Sequence, residues 1–313
     1  MSHTAVVFPG QGAHYVGMGR DLYDAYPAAR VVFDAADDVL GFSVSDLCFN
    51  GPLEALTDTV NQQPALLATS IAVWEVLRAT KGAVLPAPLF AAGHSLGEYS
   101  ALVAVGALDL ADGLRLVRER GRLMKEAGQR TPGGMAAILG LDDSVLEACC
   151  LEASRQCGGR DVVCANYNSA GQVVLSGDKV ALESAINLAK ERGARRAIPL
   201  AVTIASHSPL MAEAAAEFAK TVAATPFRDA VVPVVANVTA RPIRTAAEIR
   251  DELVRQLTSP VRWTESVQFM VAQGVTTFYE IGPKDVLTGL IRRIDGTVSV
   301  AAVGTAQAVA ALS

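Results

Sequence analysis

Apolar residues along this chain fall into two rhythms that take turns. Short, nearly unbroken apolar runs, "TAVVFPG", "PLFAAG", "VVPVVAN" and "TTFYEIG", have strand length and no polar face. Between them stand longer segments with apolar positions three and four apart, among them "ALLATSIAVWEVLRAT", "DLADGLRLVRERGRLMKEAG" and "ESVQFMVAQG", which read as helices. Strands without a polar face that alternate with amphipathic helices predict a mostly parallel sheet covered by helices.

The texture changes at the turn "TPGG" and stays changed until about Ala201. The units there read strand ("MAAILGL"), helix ("DDSVLEACCLEASRQ"), strand ("DVVCANYN"), strand ("QVVLSGD"), helix ("KVALESAINLAKERG") and strand ("RRAIPLAV"). That order, βαββαβ, is ferredoxin-like. The expected fold class is therefore α/β: an α/β-hydrolase-like, mostly parallel sheet domain formed by 1–130 and 202–313, with 131–201 inserted as a small ferredoxin-like subdomain. The uncharged C-terminal stretch "GTVSVAAVGTAQAVAALS" approaches the length of a membrane span. Its Ala, Gly, Ser and Thr content instead predicts a final strand and a short helix, and no membrane association is expected.

Bulk properties narrow the function. The chain has 313 residues, 51% of them hydrophobic, enough to bury a full core. A formal net charge of -5, a pI near 5.5 and only 5% aromatic residues argue against nucleic acid as a partner. The five cysteines, Cys48, Cys149, Cys150, Cys157 and Cys164, form no C-x-x-C pair, and four histidines add little for a metal site. They read as reduced, mostly buried thiols. With an N-terminus that begins "MSHTAVVFPGQG" and lacks a signal peptide's pattern, they point to a cytoplasmic protein.

The chemistry concentrates at "LFAAGHSLGEYSALVAVGAL". Gly93-His94-Ser95-Leu96-Gly97 fits G-x-S-x-G between a strand and a helix, the context in which a serine is held on a sharp turn as a nucleophile. Glycines on either side let strand and helix approach closely, and the helix N-terminus offers free amides, beginning with that of Leu96, to an oxyanion. A serine nucleophile needs a base. His3 is terminal, and His94 adjoins the serine on a turn that should aim its ring elsewhere. Of the remaining two, His14 and His207, the latter is favoured, since "TIASHSPLM" places it after an apolar strand and before a helix, at the expected edge of the sheet. No acid between Ser95 and His207 stands out as a third member, which leaves a neutral orienter, a backbone carbonyl or an amide side chain.

Several further stretches carry a resemblance. "FPGQGAHYVGMG", "NQQPALLATS", "GHSLGEYSALVAVGAL", "VRERGRLM", "NYNSAGQVVLSG", "ASHSPLM", "QLTSPVRWTESV" and "EIGPKDVLTGL" together resemble the malonyl-CoA:acyl carrier protein transacylases of fatty acid synthesis and the related acyltransferase domains of polyketide synthases. The likeness spans nearly the whole chain, insertion included. It implies that Ser95 is acylated, that His207 is its base and that Gln256 orients the imidazole. It also implies that the backbone amides of Gln11 and Leu96 form the oxyanion hole and that Arg120 pairs with the free carboxylate of the malonyl group. Gln63 and Asn166 match polar positions of the family's cleft. A planar, permanently charged guanidinium suits a carboxylate. Arg118 and Arg122, two residues away along a helix, should point elsewhere.

The implied activity is a two-step transfer of malonyl from malonyl-CoA to the phosphopantetheine thiol of an acyl carrier protein, with no metal or redox cofactor. Ala205-Ser206-His207 keeps methylmalonyl open as the alternative acyl group. A serine hydrolase and a non-catalytic carrier-binding module are the rival classes; Arg120 and the insertion speak against the first, and Ser95, His207 and Arg120 together against the second. An acidic carrier meeting an acidic enzyme needs a local basic patch. Lys190, Arg192, Arg195 and Arg196, or Arg292 and Arg293, are the candidates.

Overall fold

β1 (His3–Phe8) alternates its side chains between two cores: Val6 and Phe8 enter one, Ala5 and Val7 the other. A strand covered on both faces has no polar side, which is why it reads as a continuous apolar run. The structure is a computed structural model and describes residues 3–82 and 87–312, so the outermost residues of the terminal readings, Met1, Ser2 and Ser313, lie outside the described residues.

From β1 the chain passes through a glycine-rich loop into α1 (Arg20–Ala25), α2 (Pro27–Leu40), α3 (Val44–Asn50), α4 (Leu53–Thr57) and the long α5 (Thr59–Lys81). β2 (Phe90–Gly93) then leads to α6 (Leu96–Ala104) and α7 (Leu110–Arg130). The next units are β3 (Gly133–Leu139), α8 (Asp143–Gln156), β4 (Val162–Ser169), β5 (Gln172–Asp178), α9 (Lys179–Glu191) and β6 (Arg196–Pro199). After a 3-10 turn at Pro209–Met211 come α10 (Ala212–Ala224), β7 (Val234–Val235), β8 (Pro242–Ile243), α11 (Ala246–Arg255) and α12 (Trp263–Ala272). β9 (Val275–Ile281), α13 (Val286–Ile294), β10 (Ser299–Val303) and α14 (Ala306–Ala311) complete the chain.

The larger sheet has the order β10-β9-β1-β2-β7-β8, parallel except for the β7–β8 pair. The smaller sheet, β4-β5-β3-β6, is antiparallel throughout and carries its own core with α8 and α9. This is the mixed architecture expected, with the βαββαβ unit set into the α/β sheet. The C-terminal stretch forms β10 and α14, and among the described residues no helix is long and apolar enough to cross a membrane. All five cysteines are free, and Cys157 alone is only partly buried.

Two strands are shorter than the apolar runs suggest. "VVPVVAN" yields a ladder of two residues, because Pro233 has no N–H to give and enters only as an acceptor from Ala91. β6 stops at Pro199 for the same reason, and it belongs to the small antiparallel sheet. The expectation that His207 directly follows an apolar strand is thereby corrected: an irregular segment carries the chain from β6 to His207.

Candidate active site

Ser95 caps α6 with φ 50° and ψ -105°, a conformation that only surrounding constraint maintains in a residue other than glycine. The constraint is visible. A Cβ on Gly93 would lie 1.9 Å from the Gly97 carbonyl carbon, and one on Gly97 would lie 2.0 Å from Phe8 O, so strand and helix meet at a distance only glycines allow. Asn237 completes the clamp. Its Oδ1 accepts from Ser95 N at 2.7 Å while its Nδ2 donates to Gly93 O at 2.7 Å, bridging the turn from the far side of β2.

Ser95 is buried, and its Oγ lies 2.8 Å from His207 Nε2. His207 Nδ1 lies 2.8 Å from the backbone carbonyl of Gln256. A carbonyl oxygen only accepts, so Nδ1 carries the proton and donates it, leaving the Nε2 lone pair to face the serine hydroxyl. Burial, and then the positive charge of Arg120, push the His207 pKa down to about 3, so the imidazole is neutral at rest. Gln256 thus meets His207 through its main chain, the backbone alternative of the two that the sequence allowed.

The Gln256 side chain does something else. Its Nε2 donates to Ser95 O at 3.1 Å and to Glu98 Oε2, while its Oε1 accepts from Arg120 Nη2 at 3.1 Å. Arg120 lies on the buried stripe of α7, fully enclosed, and its Nη2 also donates to Ser95 Oγ at 3.0 Å. Nη1 donates to Gln63 Oε1 at 2.9 Å, and Gln63 in turn donates to Thr59 Oγ1 at 2.9 Å. The Tyr99 ring lies 5.4 Å from the guanidinium carbon. Among the described residues Arg120 Nε has no hydrogen-bond partner, and no carboxylate forms an ion pair with this arginine. Arg118 and Arg122 do point elsewhere: Arg118 donates to Leu40 O at 2.7 Å, and Arg122 pairs with Glu119 and Glu126.

Gln11 stands in the loop after β1, with its side chain tied to Thr59 Oγ1 at 3.1 Å and Gln62 Oε1 at 2.5 Å. That loop abuts the serine turn, since a Cβ on neighbouring Gly10 would lie 2.3 Å from His94 O. Leu96 opens α6, and its amide has no acceptor within the helix. Asn166 is buried on β4, which touches the segment after Gln256 through an Asn166–Val261 bridge, but its side chain stays outside the hydrogen-bonded network among the described residues. The polar residue of that strand which reaches the turn is Asn168, whose Oδ1 lies 2.8 Å from His94 Nε2. His14 bonds Gln62 and Thr57, and His94 Asn168; His207 is the histidine beside the serine hydroxyl.

Sequence reasoning missed Asn237, Glu98 and Glu252. Nothing in "VVPVVANVTA" marks Asn237 as the brace of a turn 142 positions earlier, and Glu98, directly after the serine motif, reads as one more charge at a helix start. Of the basic clusters, Arg192 is paired with Glu152, while Arg292 and Arg293 donate to the Val300 and Gly289 carbonyls at 3.1 Å each. All of these basic residues, with Lys190, Arg195 and Arg196, are exposed.

An acyl transferase domain family model matches residues 5–311. A malonyl CoA-acyl carrier protein transacylase of Bacillus subtilis is 46% identical over 309 residues, covering 99% of this chain and 96% of that relative. Among solved structures, an acyl carrier protein S-malonyltransferase from Vibrio cholerae superposes with a TM-score of 0.95 at 45% identity, each chain covered in full at 100%. A malonyl-transacylase solved in complex with its type II PKS acyl-carrier protein gives a TM-score of 0.95 at 46% identity, with 99% of both chains covered.

Proposed function

This chain belongs to the acyl transferase domain family, and from that premise we propose that it moves a malonyl group from coenzyme A to the phosphopantetheine thiol of an acyl carrier protein through an ester on Ser95. The observation that carries the reading is the convergence on one hydroxyl: His207 Nε2 at 2.8 Å and Arg120 Nη2 at 3.0 Å from Ser95 Oγ. A base and a fixed cation at the same nucleophile fit an acyl group that itself carries a negative charge.

In the first half-reaction Ser95 Oγ attacks the thioester carbonyl while His207 Nε2 takes its proton. The carbonyl oxygen becomes an oxyanion, which we assign to the amides of Leu96 and Gln11. When the carbon–sulfur bond breaks, His207 returns the proton to the departing CoA thiolate, leaving malonyl-Ser95. In the second half the carrier's thiol gives its proton to His207 and attacks the ester, and the proton returns to Ser95 Oγ as the serine leaves. The Gln256 carbonyl holds the Nδ1 proton in place and stabilises the imidazolium formed in each half.

The Arg120 guanidinium has a buried donor, Nε, still unpaired, and a carboxylate would supply the missing acceptor. Gln63 and Gln256 hold the other edge of the fork. Asn166, buried at the contact between the small sheet and the segment after Gln256, we assign to the wall of the substrate cleft. The proposal draws on these side chains and the two thiol partners alone, in the cytosol, where the unpaired cysteines are at home.

Incubation with malonyl-CoA should add one malonyl mass to the Ser95 peptide, and a phosphopantetheine thiol should discharge it far faster than water does. Labelling of a Ser95→Ala protein would overturn the nucleophile. Discharge by water at the thiol's rate would make the protein a hydrolase. Ser206 beside His207 makes methylmalonyl-CoA the competitor to include in the same assay.

A further inference from the structure

Two carboxylates are buried behind the serine: Glu98 on α6 and Glu252 on α11, at 0% and 3% exposure. Glu98 Oε1 accepts from Asn237 N at 3.2 Å, and Glu252 Oε1 accepts from the next amide, Val238 N, at 2.8 Å. The Gln256 amide stands between Glu98 and the guanidinium, donating to the first from Nε2 and accepting from the second at Oε1. A buried arginine with no anion in reach is costly, because desolvation of the charge goes uncompensated. Here the anion stands one amide away.

We propose that Glu98 is the resident counter-ion of Arg120, relayed through the Gln256 amide, and that it sets how strongly the site selects an acyl group bearing a free carboxylate. The proposal rests on the malonyl-transfer reading above and adds a specificity-determining residue that does not touch the substrate. In the resting site Glu98 balances Arg120 and fixes which end of the Gln256 amide faces it. When a substrate carboxylate arrives, two anions share one guanidinium, and their repulsion in a low-dielectric site opposes binding of the charged acyl group. An acyl group without a carboxylate feels no such opposition. Burial and the neighbouring Glu252 push the Glu98 carboxyl well above the usual carboxylate range. Both of its oxygens nevertheless accept from N–H donors, Oε1 from Asn237 N and Oε2 from Gln256 Nε2, and these contacts, together with Arg120, favour the charged form the counter-ion role needs. Arg120 of α7, Glu252 of α11 and Tyr99 on α6 itself are the charged and titratable groups that interact with it. Glu252 accepts from Val238 N and makes no hydrogen bond to the Gln256 amide among the described residues, so it lies outside the relay.

The test is equilibrium binding of malonyl-CoA and acetyl-CoA by calorimetry in a Ser95→Ala background, where no acyl transfer intervenes. With Glu98→Gln, the preference for malonyl over acetyl should rise about tenfold, with acetyl-CoA affinity held within about twofold. Glu98→Asp, which keeps the charge, should retain the parental ratio. If both thioesters weaken together in Glu98→Gln, or the ratio stays or falls, Glu98 is only structural and the proposal is overturned. It is equally overturned if Glu98→Asp raises the ratio as Glu98→Gln does. Because a glutamine must turn its NH2 toward either Asn237 N–H or Gln256 Nε2, Glu98→Met, uncharged and of similar volume, repeats the reading without that conflict. A parent protein that does not distinguish malonyl-CoA from acetyl-CoA would refute the malonyl reading itself, and this proposal with it.

Discussion

Asn237→Ala would remove both 2.7 Å hydrogen bonds that brace the serine turn and leave Ser95 N and Gly93 O, each buried, without a partner. An orphaned buried backbone group costs about 1–3 kcal/mol, so the pair costs about 2–6 kcal/mol against a total stability of about 5–15 kcal/mol. The variant should therefore fold but unfold at clearly lower urea concentration. Its kinetics should change in a particular way. Released from Asn237, Ser95 relaxes from φ 50° toward an ordinary conformation, and a hydroxyl displaced by roughly 1 Å loses about 100-fold in rate. Arg120 is anchored to Gln63 and Gln256 and not to Asn237, so KM for malonyl-CoA should stay within about threefold. Stopped-flow measurement of serine acylation gives kcat and KM, and a urea titration gives the stability. A variant within about 0.5 kcal/mol of the parent that acylates at the parental rate would refute the claim that this side chain holds the nucleophile.

Arg120→Ala should abolish most malonyl transfer while acetyl-CoA reacts as well as before or better, and Arg120→Lys should resemble it because a single ammonium does not reproduce the fork; an unchanged malonyl-to-acetyl ratio in competition assays would exclude Arg120 as the carboxylate clamp. The depressed pKa of His207, about 3, predicts no loss of acylation rate from imidazole protonation between pH 8 and 5, and a limb centred near 6.5 would refute it. Since the folded pKa lies below the unfolded one, the same group's contribution to stability is fully present above about pH 6.5 and is lost as the pH falls toward the folded value. Reversing Arg195 and Arg196 to glutamate should raise KM for an acidic carrier, and salt should slow the second half-reaction more than the first; equal salt effects on both halves would remove these exposed arginines from carrier recognition.

Periodicity and glycine spacing by themselves determined the architecture and singled out Ser95 as the candidate nucleophile. Runs such as "TAVVF" read as strands because a short apolar stretch rich in β-branched residues suits a strand buried on both faces, and G-x-S-x-G is legible because its residue types stand together in the chain. Composition also singled out His207, four histidines being few enough to eliminate. The short helices α1, α3 and α4, of 6, 7 and 5 residues, were not legible, since each is too brief to display a period. Nor could the route to His207 be read: the apolar pattern of "RRAIPLAV" continues past Pro199, where the ladder stops for want of an N–H. Only the tertiary structure decided that Gln256 turns its carbonyl to the imidazole and its amide to Arg120 and Glu98, that Asn237 reaches back to Ser95, and that Asn168 rather than Asn166 joins the turn. Those contacts join residues far apart in the chain through single hydrogen bonds, which leave no periodicity. A buried polar group takes whichever partner the folded backbone brings within about 3 Å, and the backbone's path is set by the packing of the whole chain.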